Sequence, residues 1–434
     1  MTLAPERPVT ETDAATTPAR KPANPHLSSE APERIHTKVA VRYSHHEDPI
    51  AHLTPEHIEA IAKELDAIRA EVMDSRGEAD AKYIRNTIKA QRWIEMTSRG
   101  VLLFSGFWPA WLVGTAGLSI AKIIENMEIG HNVMHGQWDW MRDPKIHSQA
   151  WEWDNASPSS QWKYTHNVVH HTFTNVIGRD NDLGYGIMRV SEEQPWRLEY
   201  LWQPAVHILN AIFFEYGIAL YDLGAGEYLQ RKGRHTEEEK AKFREELKRS
   251  ITKVRRNATR DYLVHPLLSG PNFLPTLAAN VVANIVRNLW TNSVIICGHF
   301  PKGIEVFERT SIDGETRGEW YLRQMLGSGN ISGSWLMHFM TGNLSHQIEH
   351  HLYPDMPSNR YAEVSPKVQD LMHRYDLKFV SGPLHKQLIS VYAKVFELSL
   401  PNKVEGTTRF RQVVDAVKRE RKKRLIRKAR RAQR

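Results

Sequence analysis

The sequence predicts an all-α, membrane-embedded fold of about four transmembrane helices carrying a cytosolic helical cap. Three observations carry this. Apolar stretches recur at 101–120, 204–221 and 273–297; tryptophan and tyrosine crowd their ends; and three histidine clusters lie between or after them.

Residues 101–120, VLLFSGFWPAWLVGTAGLSI, hold no charged side chain and suffice to cross a bilayer as a helix. Glu215 and Arg287 are the main interruptions in the other two stretches. Trp108, Trp111, Tyr200, Trp202, Tyr216, Tyr221 and Trp290 sit where an interfacial belt would. The mean hydropathy of −0.51 averages these stretches with charged tails, so it does not exclude a membrane protein. Core helices of a large soluble enzyme are the alternative.

Along the chain, residues 1–45 are polar and proline-bearing, without an apolar period, and are expected to be a disordered tail with no signal peptide. A main domain, 46–403, follows. Thr54-Pro55-Glu56 is an N-cap with proline at the first helical position, opening helical periodicity that runs to about Ser98. The first apolar block leads into a histidine-rich region ending near 185; a charged helical run fills 236–260; the block 273–297 leads to a second histidine-rich region ending near Pro354. If 202–222 and 273–297 each cross once, the basic stretch 231–260 falls outside the cell, against the positive-inside tendency.

The formal charge is +8, yet residues 418–434 hold eleven Lys or Arg against Glu420 alone. A basic tail, 404–434, on a near-neutral body points to a solvated or membrane-surface appendage, not to nucleic acid. The single cysteine, Cys297, excludes an internal disulfide and a four-thiolate cluster, so redox chemistry would need an external electron donor, a ferredoxin or a flavin/iron–sulfur reductase.

The clusters are His131-Asn-Val-Met-His135, His166-Asn-Val-Val-His170-His171 and His346-Gln-Ile-Glu-His350-His351. On a helix, i and i+4 share a face and i+5 lies about 100° further round, so each cluster can aim two or three rings at one point. Eight imidazoles exceed what one tetrahedral zinc takes, and no HExxH motif is present. Two metals fit better. Imidazole does not choose among iron, zinc, copper and nickel; the lipid setting favours two irons using dioxygen, because a methylene far from any activating group needs a strong oxidant. The tail and lone cysteine place the clusters on the cytosolic face of the cell membrane.

These boxes resemble those of the membrane fatty acid desaturase family. Lys122 to Met141, Arg287 to Pro301 and Gly342 to Arg360 are similar to its mycobacterial stearoyl-coenzyme A Δ9 branch, over about residues 50–403. The resemblance implies a di-iron enzyme that uses dioxygen on a long-chain acyl-CoA or other acyl substrate. It also implies His299 as a ninth ligand, and it starts the third box at Gln347; matching HxxxHH spacing favours His346 instead, with Gln347 behind it. The HPGG haem motif of the front-end branch is absent. The expected metal set is therefore His131, His135, His166, His170, His171, His299, His346, His350 and His351. Glu125, Glu128, Glu349, Asp180 and Asp182 are candidates to orient ligating rings, or solvated carboxylates; His147, His207, His265 and His338 read as structural. Trp138, Trp140, Trp151, Trp153 and Trp162 wall an acyl tunnel or pack a core. Competing functions are a di-iron hydroxylase or alkane monooxygenase, and a non-catalytic membrane metal- or lipid-binding protein.

Overall fold

The computed structural model describes residues 48–432 apart from 181, 183, 193 and 232, with side chains described as far as 422. The tail expected at 1–45 lies outside the described residues. The described chain is mostly helical, and its one two-stranded sheet pairs β1 (Asn330–Ser332) in parallel with β2 (Ser381–Pro383).

The expected helix from 53 to 98 is two helices. In α1 (Pro55–Asp74), Thr54 caps the His57 amide and Pro55 opens the first turn, as the sequence indicates; Ser75–Gly77 then breaks the chain before α2 (Glu78–Leu102). α3 (Trp108–Ile124) returns antiparallel to α2. α4 (Gln203–Ile212) and α5 (Phe214–Asp222) follow, then α6 (Glu237–Thr259), capped by Thr236, and the long α7 (Phe273–His299). The C-terminal part adds α8 (Arg317–Leu326), α9 (Gln347–Leu352), α10 (Tyr361–Arg374), α11 (Leu384–Ser399) and α12 (Arg409–Ala432).

Transmembrane spans are where the expectation and the molecule part. Among the described residues no helix is long and apolar enough to cross a membrane. The run 101–120 is divided: Val101 and Leu102 end α2, a turn follows, and α3 begins at Trp108. The stretch 204–221 breaks at Phe213, between α4 and α5. α7 is long but buries Asn280, Asn284, Arg287, Asn288 and Asn292 along one side. The stretches 101–120 and 204–221 are thus each broken, whereas 273–297 lies within the single helix α7.

Two hairpin tips, the turn 103–107 between α2 and α3 and the turn Gly270–Asn272 where the segment 260–268 folds back into α7, meet each other. Ser105 Oγ lies 2.8 Å from Thr276 Oγ1, Trp111 Nε1 donates to Pro275 O at 2.9 Å, and Asn272 Nδ2 donates to Leu103 O at 2.8 Å. Around this junction Phe104, Phe107, Trp108, Leu268 and Leu274 stand 64% to 71% exposed. At the other end of α3, Lys122 is 2% exposed with Nζ 2.9 Å from Asp154 and 2.8 Å from Asp261, while Arg287 meets Glu215 at 2.5 Å.

α6 packs on the segment before the second histidine box: Gln161 Nε2 donates to Glu246 O, Asn257 Nδ2 to Asn155 O and Lys253 Nζ to Ser157 O. The basic stretch thus packs on the side of the histidines. A separate core joins α1, α8, α9 and α10 through Leu65, Tyr321, Met325, Ile348, Tyr361 and Val368, which holds the third box rigidly.

Candidate metal centre

The second box lies on a helix wound wider than α, and the first box starts at the last residue of another such segment. Glu125–His131 and Lys163–His170 are π-helical segments, and the His171 amide donates to the His166 carbonyl five residues back. That winding brings i, i+4 and i+5 closer to one face than an α-helix does; π-turns recur at functional sites for this reason. Gly342, at φ +69°, lets the approach to the third box press on the first: a Cβ there would sit 2.6 Å from the Met127 carbonyl. Asn132 Nδ2 donates across this contact to Gly342 O at 3.1 Å.

The fold gathers eight of the nine expected histidines. His131, His135, His166 and His350 form one group with ring nitrogens within 4.8 Å of one another, and His170, His299 and His351 form a second. His171 stands between them, its ring 4.8 Å from that of His350 and 4.5 Å from that of His351. His299 comes from the end of α7, far away in sequence.

Six of these rings have Nδ1 beside an acceptor. Asn132 Oδ1 is 3.0 Å from His131, Asp182 3.2 Å from His166, Asp180 3.0 Å from His170, Gly327 O 3.4 Å from His299 and Gln324 Oε1 3.2 Å from His351. Tyr361, whose hydroxyl donates to Tyr353 O, accepts from His350 at 3.2 Å. These partners put the proton on Nδ1 and leave the Nε2 lone pair facing inward.

Nε2 of His166 then lies 3.3 Å from Nε2 of both His131 and His171, and Nε2 of His299 lies 3.2 Å from that of His351. The Nε2 atoms of His135 and His350 are buried without any partner. Converging lone pairs in a dry pocket repel unless a cation sits among them, so the donor set fits two metal ions, one per group. Burial lowers His131 to about 4 and holds His135, His166, His171, His299, His350 and His351 well below the usual imidazole range. They are therefore neutral, as ligands must be. Burial pulls His170 down too, but Asp180 and Asp182 beside it raise it to about 9. Carboxylates that favour a proton on that ring favour any cation bound to it.

His346 is not brought to either group. α9 begins at Gln347, leaving His346 as a non-helical cap at φ −97° and ψ 58°, so the shared helical face assumed for HxxxHH does not form. Its ring stacks on His338 at 4.5 Å, and Gln347 instead reaches the second group, with Nε2 3.1 Å from His299 Nε2.

Of the candidate orienting carboxylates, Asp180 and Asp182 meet ligand-type rings. Glu128 instead accepts from Tyr83, Asn343 and Ser358, Glu349 from Asn330 and Glu125 from the Asp154 amide. Asn132, Gln324 and Tyr361 went unnoticed in the sequence; only Asn132, adjacent to a box histidine, carried a local signal. His265 bonds with Asn280, His207 is buried with neither ring nitrogen partnered, and His147 lies near Asp139.

A cavity of about 730 Å³, its mouth included, runs beside both groups. Its walls include Trp153, Trp162, Phe214, Ile218, Ile295 and Leu344, with His131, His166, His170 and His299 facing in. Trp162 also stacks on His166, ring centroids 4.4 Å apart, whereas Trp138 packs in a core.

Comparison with known proteins gives the same direction. The fatty acid desaturase family model matches residues 105–383. A protein of Mycobacterium tuberculosis named NADPH-dependent stearoyl-CoA 9-desaturase is 50% identical over 360 residues, 82% of this chain and 83% of that one. The sn-1 linoleoyl-lipid 6-desaturase of Synechocystis is 23% identical over 75% of this chain and 90% of its own, and the acyl-lipid (8-3)-desaturase of Physcomitrium patens is 26% identical over 65% and 57%. No solved structure matches the chain.

Proposed function

This chain belongs to the fatty acid desaturase family, and from that premise we propose that it places a Δ9 double bond in stearoyl-CoA with two iron ions and dioxygen. The two groups of inward Nε2 lone pairs beside one apolar cavity carry this reading. His131, His135, His166 and His350 would hold one iron and His170, His299 and His351 the other, with His171 between; Gln347 takes the place that spacing gave to His346. Iron bound there would supply the dioxygen-derived oxidant that removes two hydrogens from neighbouring methylenes.

The chain's own residues do the rest. Trp162, Phe214, Ile218, Ile295 and Leu344 offer an apolar wall along which a saturated chain lies, and they keep water from the reacting carbons. Asp180, Asp182, Asn132, Gln324 and Tyr361 fix the protonated Nδ1 of the rings, so each ring keeps its bearing through turnover. The lone buried Cys297 supports an external electron donor, and the Mycobacterium relative's name points to NADPH as the ultimate source. The exposed aromatic and leucine side chains at the paired hairpin tips support entry into the cell membrane by those tips, with the metal centre towards the cytosol.

The test is iron content together with product. Chain prepared with adequate iron should approach two irons per molecule and convert stearoyl-CoA to oleoyl-CoA, with the double bond located by mass spectrometry. An alcohol product would support the hydroxylase reading instead, and metal binding without dioxygen consumption would support the non-catalytic one.

A further inference from the structure

Beyond the reaction, we propose that the α11–α12 end of the molecule is a docking surface for anionic lipid headgroups, separate from the hairpin tips. α11 buries Val391, Val395 and Leu398 against the body and leaves Ile389 68%, Tyr392 36% and Phe396 64% exposed. Spacings of three and four put those three on one stripe. On α12 the exposed apolar residues are Phe410 at 78% and Val417 at 46%, two turns apart on one face. Lys418, Arg419, Arg421 and Lys422, all exposed, follow Val417 directly.

α12 is fastened to the body rather than free to swing. Gln412 Nε2 donates to Asn402 O at 3.1 Å, Arg409 approaches Glu397 of α11 at 3.8 Å, and Ala416 is buried. α12 also touches the turn Leu198–Trp202, where Trp202 is 72% exposed. Exposed apolar side chains on adjacent elements thus border the helix that leads into a sequence stretch, 418–434, with eleven Lys or Arg against one Glu.

The combination selects the occupant. An acidic protein or a nucleic acid would satisfy the cations but leave the aliphatic and aromatic stripe in water. A second copy would cover the stripe but set cation against cation. A leaflet containing anionic lipid meets both, with headgroups on Lys and Arg and the stripe at the acyl boundary.

The test uses the full chain with Gln433→Cys labelled by a fluorophore, Cys297 being buried. Quenching by a headgroup-attached quencher is compared in nanodiscs of phosphatidylcholine alone and with about one-third phosphatidylglycerol. Quenching should be at least about fivefold stronger with phosphatidylglycerol at low salt and should fall away near 0.5 M salt, where the Debye length is about 4 Å. Replacing Lys418, Arg419, Arg421 and Lys422 by Gln should remove most of the difference while leaving desaturation unchanged. Co-flotation with vesicles of the same compositions reads the same preference should the hairpin tips fail to insert. Equal quenching in both lipids overturns the proposal, as does quenching indifferent to salt or a cross-linked dimer through α11.

Discussion

The Nδ1 atom of His170 lies 3.0 Å from both carboxylate oxygens of Asp180, and both residues are buried. The same carboxylate accepts from the backbone amides of Asn175 and Asp182, so one side chain shapes the loop and aims the ring. Asp180→Asn should keep the loop close to its native path while weakening the charge behind His170. Metal affinity should fall by roughly 10- to 100-fold, the usual cost of losing such a partner. Titration with iron or a spectroscopic surrogate checks this; unchanged affinity would detach Asp180 from the centre.

His346 and His350 look alike in sequence and differ in place. His350→Ala should remove a nitrogen of the first group and with it most bound metal. His346→Ala should leave metal content near that of the parent and cost only packing against His338. Equal metal loss in both variants would return His346 to the ligand set.

The Lys122 ammonium bridges Asp154 and Asp261 at the inner end of α3. Breaking such a buried pair costs about 3–5 kcal/mol, so Asp154→Asn should lower the unfolding midpoint clearly. Burial alone would raise the Asp154 carboxyl, but Lys122 and Arg260 hold it well below the usual carboxylate range. A depressed acid contributes stability that is complete above the ordinary carboxylate pKa and is lost as pH falls through its lowered value. Stability should therefore be insensitive to this group at neutral pH and decline below about pH 4, with a shallower acid decline in the variant. Unfolding followed by circular dichroism across pH measures both slopes.

Ile218 and Leu344 both line the cavity beside the histidine groups. Ile218→Trp should fill part of the channel, raising KM or abolishing turnover for an eighteen-carbon chain while leaving metal content intact. Shorter acyl chains should suffer less. A variant that processes all lengths like the parent would show that the acyl chain lies elsewhere.

Local pattern was enough for several features. Thr54, Pro55 and Thr236 mark helix starts because caps are satisfied by neighbours in sequence. The three histidine boxes were legible because their spacing is itself the signal. What sequence could not convey was the path between the marks. The uncharged composition of 101–120 suggests one long helix, while Gly106 and Pro109 within it are the local signals of a break, Pro109 lying in the first turn of α3. Tertiary contacts from Asn272, Thr276 and Pro275 hold the turn where it is. The case of His346 is similar: equal spacing promised equal roles, but α9 starts at Gln347, where Asn330 Oδ1 accepts from the Ile348 amide, and His346 is left outside it. Sequence therefore determined which side chains could bind metal, because that is a property of residue type and local period. Tertiary structure decided which of them do meet and how the apolar segments fold back, because lone-pair convergence and hairpin closure depend on atoms that are distant along the chain.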